Sequence, residues 1–282
     1  MKRLVIMTLT WDAEDKLTRL KESLIPALEV LKNLKVEWHI KDNASKDKTV
    51  EKAKTWGDNV IVYAYKDNLQ NFAEGMNYIF DKANPDDDDY VLLLNNDVVF
   101  NDTTSLKNMI NIMDKDDSVG VVGARLLFNN TDLIQHCGVV FDDKYKFPTH
   151  FRSKEKSNEN DKKNRLFQIV TGAVLLTKGK YYKNVCTDNA SGINGLTETF
   201  RWAFDDCDMC LNINYVQNKK IVYCGETNIF HEESASLKKN PVNKLHLKGN
   251  LEKLVSKWGS IYKIDKSLYT KNKNLNLYEY KK

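Results

Sequence analysis

The sequence predicts an α/β fold: a mostly parallel, Rossmann-like central sheet flanked by helices, followed by an irregular second half. Two patterns carry this expectation. Strand and helix signals alternate through the first hundred residues, which reads as successive βαβ units. One of these strands, Tyr90 to Leu94, is apolar throughout, as suits the middle of a parallel sheet covered on both faces.

The elements follow in order. Arg3 to Thr10 is an apolar, β-branched run and reads as the first strand. Glu14 to Leu34 places Leu17, Leu20, Leu24, Leu28 and Leu31 at helical spacing, with Pro26 expected to kink or split the helix. Val36 to Lys41 is a short strand, Asp47 to Trp56 a short helix and Asn59 to Tyr65 a third strand. Phe72 to Lys82 is a helix with Phe72, Met76, Ile79 and Phe80 on one face. Beyond Phe100, Val119 to Phe128, Leu133 to Phe141, Phe167 to Thr177 and Lys220 to Cys224 read as strands. Asp206 to Asn218 and Asn240 to Trp258 read as helices. Lys144 to Asn164 has no period and reads as a long surface loop, a length that usually serves function. The expected organisation is a main domain over 1–235 whose two halves, 1–100 and 101–235, join near Phe100. A C-terminal helical appendage and tail follow over 236–282.

Composition narrows the class. The 282 residues are 41% hydrophobic and 29% charged, as in a globular protein with a buried core. A net charge of +4, from 43 basic and 39 acidic residues, is too balanced to indicate nucleic-acid binding by itself. No apolar run approaches the ~20 residues of a membrane span, and the start lacks the apolar stretch of a signal peptide. The five cysteines are irregularly spaced, as reduced thiols would be. A cytoplasmic protein is expected, with peripheral attachment at the inner membrane face through the tail left open.

Ligands of open parallel sheets bind outside the carboxyl ends of the strands, so the polar residues there are the candidates. Four clusters stand at such positions. Asp42-Asn43-Ala44-Ser45-Lys46-Asp47 has the composition of a turn and helix cap, but the Asp42 carboxylate is also placed to accept a base N–H or a ribose hydroxyl. Leu94-Asn95-Asn96-Asp97 ends the apolar strand abruptly in a carboxylate, a place suited to Mg²⁺ or Mn²⁺ bridging to phosphates. Asp205, Asp206 and Asp208 crowd three acids into four positions beside Trp202, Phe204 and Leu211. Helix capping needs fewer, and the mutual repulsion raises at least one pKa, which suits a base. Ile229-Phe230-His231-Glu232-Glu233-Ser234 offers one histidine, which matters only if the fold brings it near Asp97.

In order and spacing these clusters resemble family 2 glycosyltransferases of the GT-A fold, in particular bacterial rhamnosyltransferase-like members. The similar pieces are Asp42-Asn43-Ala44-Ser45, Asn68 with Phe72-Ala73-Glu74-Gly75-Met76-Asn77, Leu94-Asn95-Asn96-Asp97, and Gly123-Ala124-Arg125-Leu126-Leu127-Phe128. Ile134-Gln135-His136-Cys137-Gly138-Val139-Val140, Thr171-Gly172-Ala173, Asp205-Asp206-Cys207-Asp208 and His231 complete the set. The resemblance implies that Asp42, with Asn43 and Ser45, meets the nucleotide base, and that Thr8 and Thr10 line the same pocket. Gly75, Asn77, Asn95, Asn96 and Gly172 would belong to the nucleotide-sugar face. Asp97 would be the metal carboxylate of a D-x-D motif with Asn95 in its first position, and His231 would complete the metal or diphosphate site. Asp206 would be the general base, with Asp205 and Asp208 as neighbours. Asp205 stands where the family has Glu, so the base is Asp205 or Asp206.

The activity so implied is inverting transfer of a hexosyl or deoxyhexosyl group from a UDP- or dTDP-sugar, with Mn²⁺ or Mg²⁺. The acceptor would be a glycan or lipid-linked glycan, and a nucleic-acid acceptor is less favoured. Polysaccharide biosynthesis is the expected setting. The competing readings are a nucleotidyltransferase on a related sheet and a weakly catalytic sugar-nucleotide-binding module. The first lacks its Gly- and Lys/Arg-rich signature after strand one; the second is not expected to keep three acids at 205–208.

Overall fold

The computed structural model of the chain describes residues 1–67, 71–142, 144, 146–201, 203–232, 243–271 and 279–280. Asn68, Trp202, Glu233, Ser234 and the expected helix start at Asn240 lie outside the described residues.

The elements run β1 (Arg3–Thr10), α1 (Glu14–Glu29), β2 (Lys35–Asn43), α2 (Thr49–Ala53), β3 (Val60–Tyr65), α3 (Phe72–Ala83), β4 (Tyr90–Leu94), β5 (Val98–Phe100), α4 (Ser105–Lys115) and β6 (Val119–Phe128). They continue as β7 (Ile134–His136), β8 (Val139–Phe141), β9 (Pro148–His150), β10 (Arg165–Phe167), β11 (Val174–Lys178), α5 (Gly179–Tyr182), α6 (Asp205–Leu211), β12 (Lys220–His231), α7 (Asn243–Trp258) and α8 (Lys266–Lys271). The main sheet has the order β10-β12-β6-β11-β4-β1-β2-β3, with β5 added to β12 and β7 to β6. Strands β1, β2, β3 and β4 are mutually parallel, and β6 and β12 are parallel to each other. Because β11 is antiparallel to both β4 and β6, these six strands all point one way. Thr10, Asp42, Leu94 and His231 therefore end strands on the same edge of the sheet.

Strand alternation sends side chains to two apolar layers. On β1, Val5 and Met7 face a cluster with Met76 and Ile79 of α3. Leu4 and Ile6 face a second cluster with Leu17, Leu20 and Leu24 of α1 and Met109 of α4. Both faces of the sheet are thus covered, and β4, buried at every position, lies at its middle as its composition predicts.

Several boundaries differ from the sequence expectation. α1 passes through Pro26 but stops at Glu29: Pro26 has no N–H for the carbonyl four residues back, and the helix ends within a turn of it. The expected 133–141 strand breaks into β7 and β8 at Gly138, whose φ of +100° leaves the β region and whose added Cβ would meet the Phe167 ring at 2.3 Å. The expected 167–177 strand is two strands, with 168–173 crossing between them. The helix expected over 206–218 is α6 followed by a π-helical turn, Asn212–Val216. β12 continues seven residues past Cys224 to His231, through a register shift between Cys224 and Ile229. The expected 144–164 surface loop holds β9 and a 3₁₀ turn, Glu159–Lys162, and it buries Asp161 completely. α4 and β5 are elements that the sequence reading passed over. Among the described residues, no helix is long and apolar enough to cross a membrane.

Candidate active site

The carboxyl edge of β4 is the centre of the site. The antiparallel neighbour β11 begins where β4 ends, and Asn95 N–H donates to Ala173 O at 2.9 Å. This pairing pins the turn that carries Asn95, Asn96 and Asp97. β5 then pairs with the end of β12, setting Val98 opposite His231. The result brings His231 Nε2 to 3.2 Å from Asp97 Oδ1. The two residues lie 134 apart in sequence, and the proximity that would make His231 of interest is present. Asn95 Nδ2 is 3.4 Å from the same imidazole nitrogen.

Cations and one further acid surround this pair. Lys16 Nζ, from the first turn of α1, is 3.9 Å from Asp97 Oδ2 and 3.2 Å from Glu232. Arg19 holds Glu232 at 2.7 Å, and Glu232 N–H donates to Asp97 O at 3.0 Å. Glu232 stood in the fourth cluster without a role, and Lys16 and Arg19 were not among the residues expected from sequence. Their signal was positional: α1 follows β1 directly, so its first turns must face the same crevice.

The donor set at this point is one carboxylate and one imidazole, with the Asn95 amide beside them. Among the described residues, no group of three or more His, Cys, Asp or Glu side chains converges. His231 Nδ1 is buried with no hydrogen-bond partner among them. An oxygen and nitrogen pair with few protein ligands fits Mg²⁺ or Mn²⁺, ions that keep waters and substrate phosphates in their shell.

Toward β2 the edge carries the expected base-side residues. Thr10 is in register with Asp42, and Thr10 Oγ1 accepts from Asn96 Nδ2 at 3.1 Å. Asp42 is buried and accepts from Ser45 N–H at 2.9 Å and from the Ser45 hydroxyl. Ala44 adopts φ +63° to close this turn. Burial pushes the Asp42 carboxyl up, and the Ser45 hydrogen bonds oppose that.

Four expected donor-face residues make contacts within the fold. Thr8 is fully buried and accepts from Trp38 Nε1 at 3.0 Å. Asn43 accepts from the buried Lys41 Nζ at 2.7 Å. Asn77 bonds through its amide to Leu196 N and O, the Tyr182 hydroxyl and Glu198, and so clamps the 196–198 segment. Gly75 lets α3 approach β1: a Cβ there would meet Leu9 Cδ1 at 2.7 Å. Each of these contacts comes from a partner distant in sequence or packed against the residue, and local sequence carries no sign of it.

Across the β4–β11 junction stands the acidic cluster. Gly172 N–H donates to Asp206 Oδ2 at 2.9 Å, and Cys207 N–H donates to Asp206 Oδ1 at 2.8 Å. A Cβ on Gly172 would sit 3.2 Å from the Asp206 Cβ, so this glycine admits the carboxylate. The 171–172 segment is itself fastened by His136, whose Nε2 accepts from Thr171 N–H and Gly138 N–H, both at 3.3 Å. Two amide donors on Nε2 leave the proton on Nδ1, which faces His150 Nδ1 at 2.9 Å. Burial holds His136 neutral, well below the usual imidazole range. The Gln135-His136 pair was legible as part of a motif, but not as the support of Asp206.

The three acids have separate environments. Asp206 is the partly exposed one. Asp205 is buried, and burial, followed by the charge of Asp206, pushes its carboxyl up to about 8. Asp205 therefore carries a proton at neutral pH and is a poor proton acceptor there. Between pH 3.8 and about 8 the folded chain keeps a proton that the unfolded chain releases, so this group makes stability fall as pH rises through that window. Asp205→Asn is expected to raise the melting temperature at pH 8, with the gain shrinking toward pH 4. Thermal scans across that range check this, and an Asn variant less stable at pH 8 would contradict it.

Asp208, fully buried, is structural. Its carboxylate accepts from Trp258 Nε1 at 2.6 Å and Thr197 Oγ1 at 2.5 Å, and pairs with Lys257 Nζ at 2.8 Å. It ties α7 to α6. Asp208→Ala strands these donors and is expected to cost about 3–5 kcal/mol. The melting temperature should then fall by about 10 °C. Melting within about 2 °C of wild type would remove this role.

The sequence matches the family described as glycosyl transferase family 2 over residues 5–177, more than half of the chain, and the protein belongs to that family. Its fold is GT-A. The structure of GalNAc-T7 with UDP, GalNAc and Mn²⁺ superposes with a TM-score of 0.60 at 12% identity, covering 82% of this chain and 44% of that one. Staphylococcus aureus TarS 1–349 gives 0.55 at 13% identity, covering 98% and 77%; the longer S. aureus TarS gives 0.55 at 14%, covering 90% and 44%. The chain thus spans less than half the length of GalNAc-T7 and of the longer TarS. No curated protein matches the sequence.

Proposed function

We propose that the protein is an inverting, divalent-metal-dependent glycosyltransferase. It would move a hexosyl group, or the deoxyhexosyl group of a rhamnosyltransferase-like enzyme, from a UDP- or dTDP-sugar to a hydroxyl of a glycan or lipid-linked glycan. The observation that carries this reading is the Asp97–His231 pair on one side of the β4–β11 junction, with Asp206 held by Gly172 on the other. Leaving group and incoming hydroxyl thereby gain separate partners on one edge of the sheet.

Asp42 and Ser45 recognise the base, and Thr10 and Asn96 shape the adjoining edge. Asp97 and His231 would hold the divalent ion, which would supply Lewis-acid charge to the diphosphate leaving group. Lys16 adds positive charge beside Asp97. Asp206 takes the proton of the acceptor hydroxyl as its oxygen bonds to the anomeric carbon. The bond to the diphosphate oxygen breaks with its electron pair leaving on that oxygen. Residues 1–100 serve the donor and 101–235 the acceptor, with the 144–164 segment as acceptor reader. The chemistry takes place at the cytoplasmic side.

Single displacement inverts the anomeric centre. Early-time proton NMR of the sugar released by slow acceptor-independent hydrolysis should therefore show the anomer opposite to that of the donor. First formation of the same anomer would contradict the mechanism.

A further inference from the structure

A cavity of about 320 Å³ opens at the outer edge of the sheet, lined by Arg152, Glu155, Asp161, Arg165 and Tyr269, with Thr270 at its exposed rim. Arg165 lies on β10, which pairs with β12 opposite Tyr223. Tyr223 and His231 pair with Gly123 and Phe128 of β6, roughly 17 Å apart along that strand, so the cavity is separate from the transfer site.

Arg165 is 1% exposed, yet only Nη2 has a hydrogen bond, to Asn160 O; Nε and Nη1 have no partner among the described residues. Nor does a carboxylate there form an ion pair with it. The two acids that line the cavity are taken by Arg152. Asp161 accepts from Arg152 Nη1 and from Asn158 N–H at 2.8 Å, and Glu155 accepts from Arg152 Nε at 2.8 Å. Glu155 is largely in solvent, so the inner wall combines two guanidinium groups with one buried carboxylate. A guanidinium removed from water without a counter-ion is costly. Arg165 is one of the residues that line a space at the lower end of small-ligand pocket volumes.

We propose that this cavity binds a small oxyanion, a carboxylate or phosphate group, either free or carried on a sugar ring, with Arg165 as its counter-ion. Calorimetry of the full chain at constant ionic strength tests this with inorganic phosphate, glucuronate and glucose. One anion should bind saturably, one per chain, and glucose should not. Tighter binding of phosphate identifies a free-anion site; tighter binding of glucuronate identifies an acidic sugar. Thr270→Trp fills the cavity from its rim and should weaken the anion at least 10-fold while keeping the wild-type melting temperature. Arg165→Gln should do the same if it folds. No saturable anion binding, binding unchanged in Thr270→Trp, or loss of anion binding in Asp97→Ala would overturn the proposal.

Discussion

Asp206→Asn is expected to lower turnover about 10³-fold, within the range by which a positioned general base accelerates a reaction. Donor affinity should stay within about twofold, because the loss falls on the transition state. Asn keeps the shape, and its one oxygen can accept from Gly172 N–H while Cys207 N–H loses its partner, so the fold around the residue should survive with one hydrogen bond fewer. What it cannot do is receive the acceptor proton. The comparison with Asp205→Asn is decisive. Asp205 is buried, with its carboxyl pushed up to about 8, so its amide mimics the protonated form already present at neutral pH. That variant should keep turnover within about tenfold of wild type. Steady-state nucleotide release at saturating donor, with donor affinity from calorimetry, separates the two. Equal losses in both variants, or a larger loss in Asp205→Asn, would move the base to Asp205.

Asp97→Ala is expected to remove the metal dependence of donor binding. In wild type, Mn²⁺ should tighten UDP binding about 100-fold over the same titration in EDTA, near 2.7 kcal/mol. In the variant the two titrations should nearly coincide. His231→Ala should cost less, about tenfold, because the carboxylate remains. The physical basis is the 3.2 Å approach of His231 Nε2 to Asp97 Oδ1, a nitrogen and oxygen pair that would hold the ion. A Mn²⁺ effect in Asp97→Ala as large as in wild type would place the ion elsewhere.

The donor half of the fold was legible in the sequence because its signals are local. β1, β3, α3 and β4 are marked by apolar runs or helical spacing, and their observed bounds lie within one residue of the pattern. Asp42 and Asp97 could be picked out because each ends such a strand. The second half depends on contacts that no short window contains. Gly138 breaks a strand because the Phe167 ring lies against it, and β12 runs on to His231 because β5 and β6 pair with it. α4 was legible but overlooked: Leu106, Met109, Ile110 and Met113 have helical spacing and are buried. Asn77 was expected near the nucleotide face and Asp208 beside the base, and their bonds to Leu196 and Trp258 were not legible. Residue type and position mark a site, whereas the partners that consume a polar group come from distant sequence. The same limit hid His136 and Lys16, whose roles rest on Thr171 and Asp97.

The most direct measurement is nucleotide release from a panel of UDP-, dTDP- and GDP-sugars, with Mn²⁺ or with EDTA, for wild type and Asp97→Ala. Slow acceptor-independent release from a UDP- or dTDP-sugar, abolished by EDTA and by the substitution, is the predicted result. Release that persists in EDTA, or the absence of both release and metal-dependent binding across the whole panel, would contradict a metal-dependent transferase centred on Asp97.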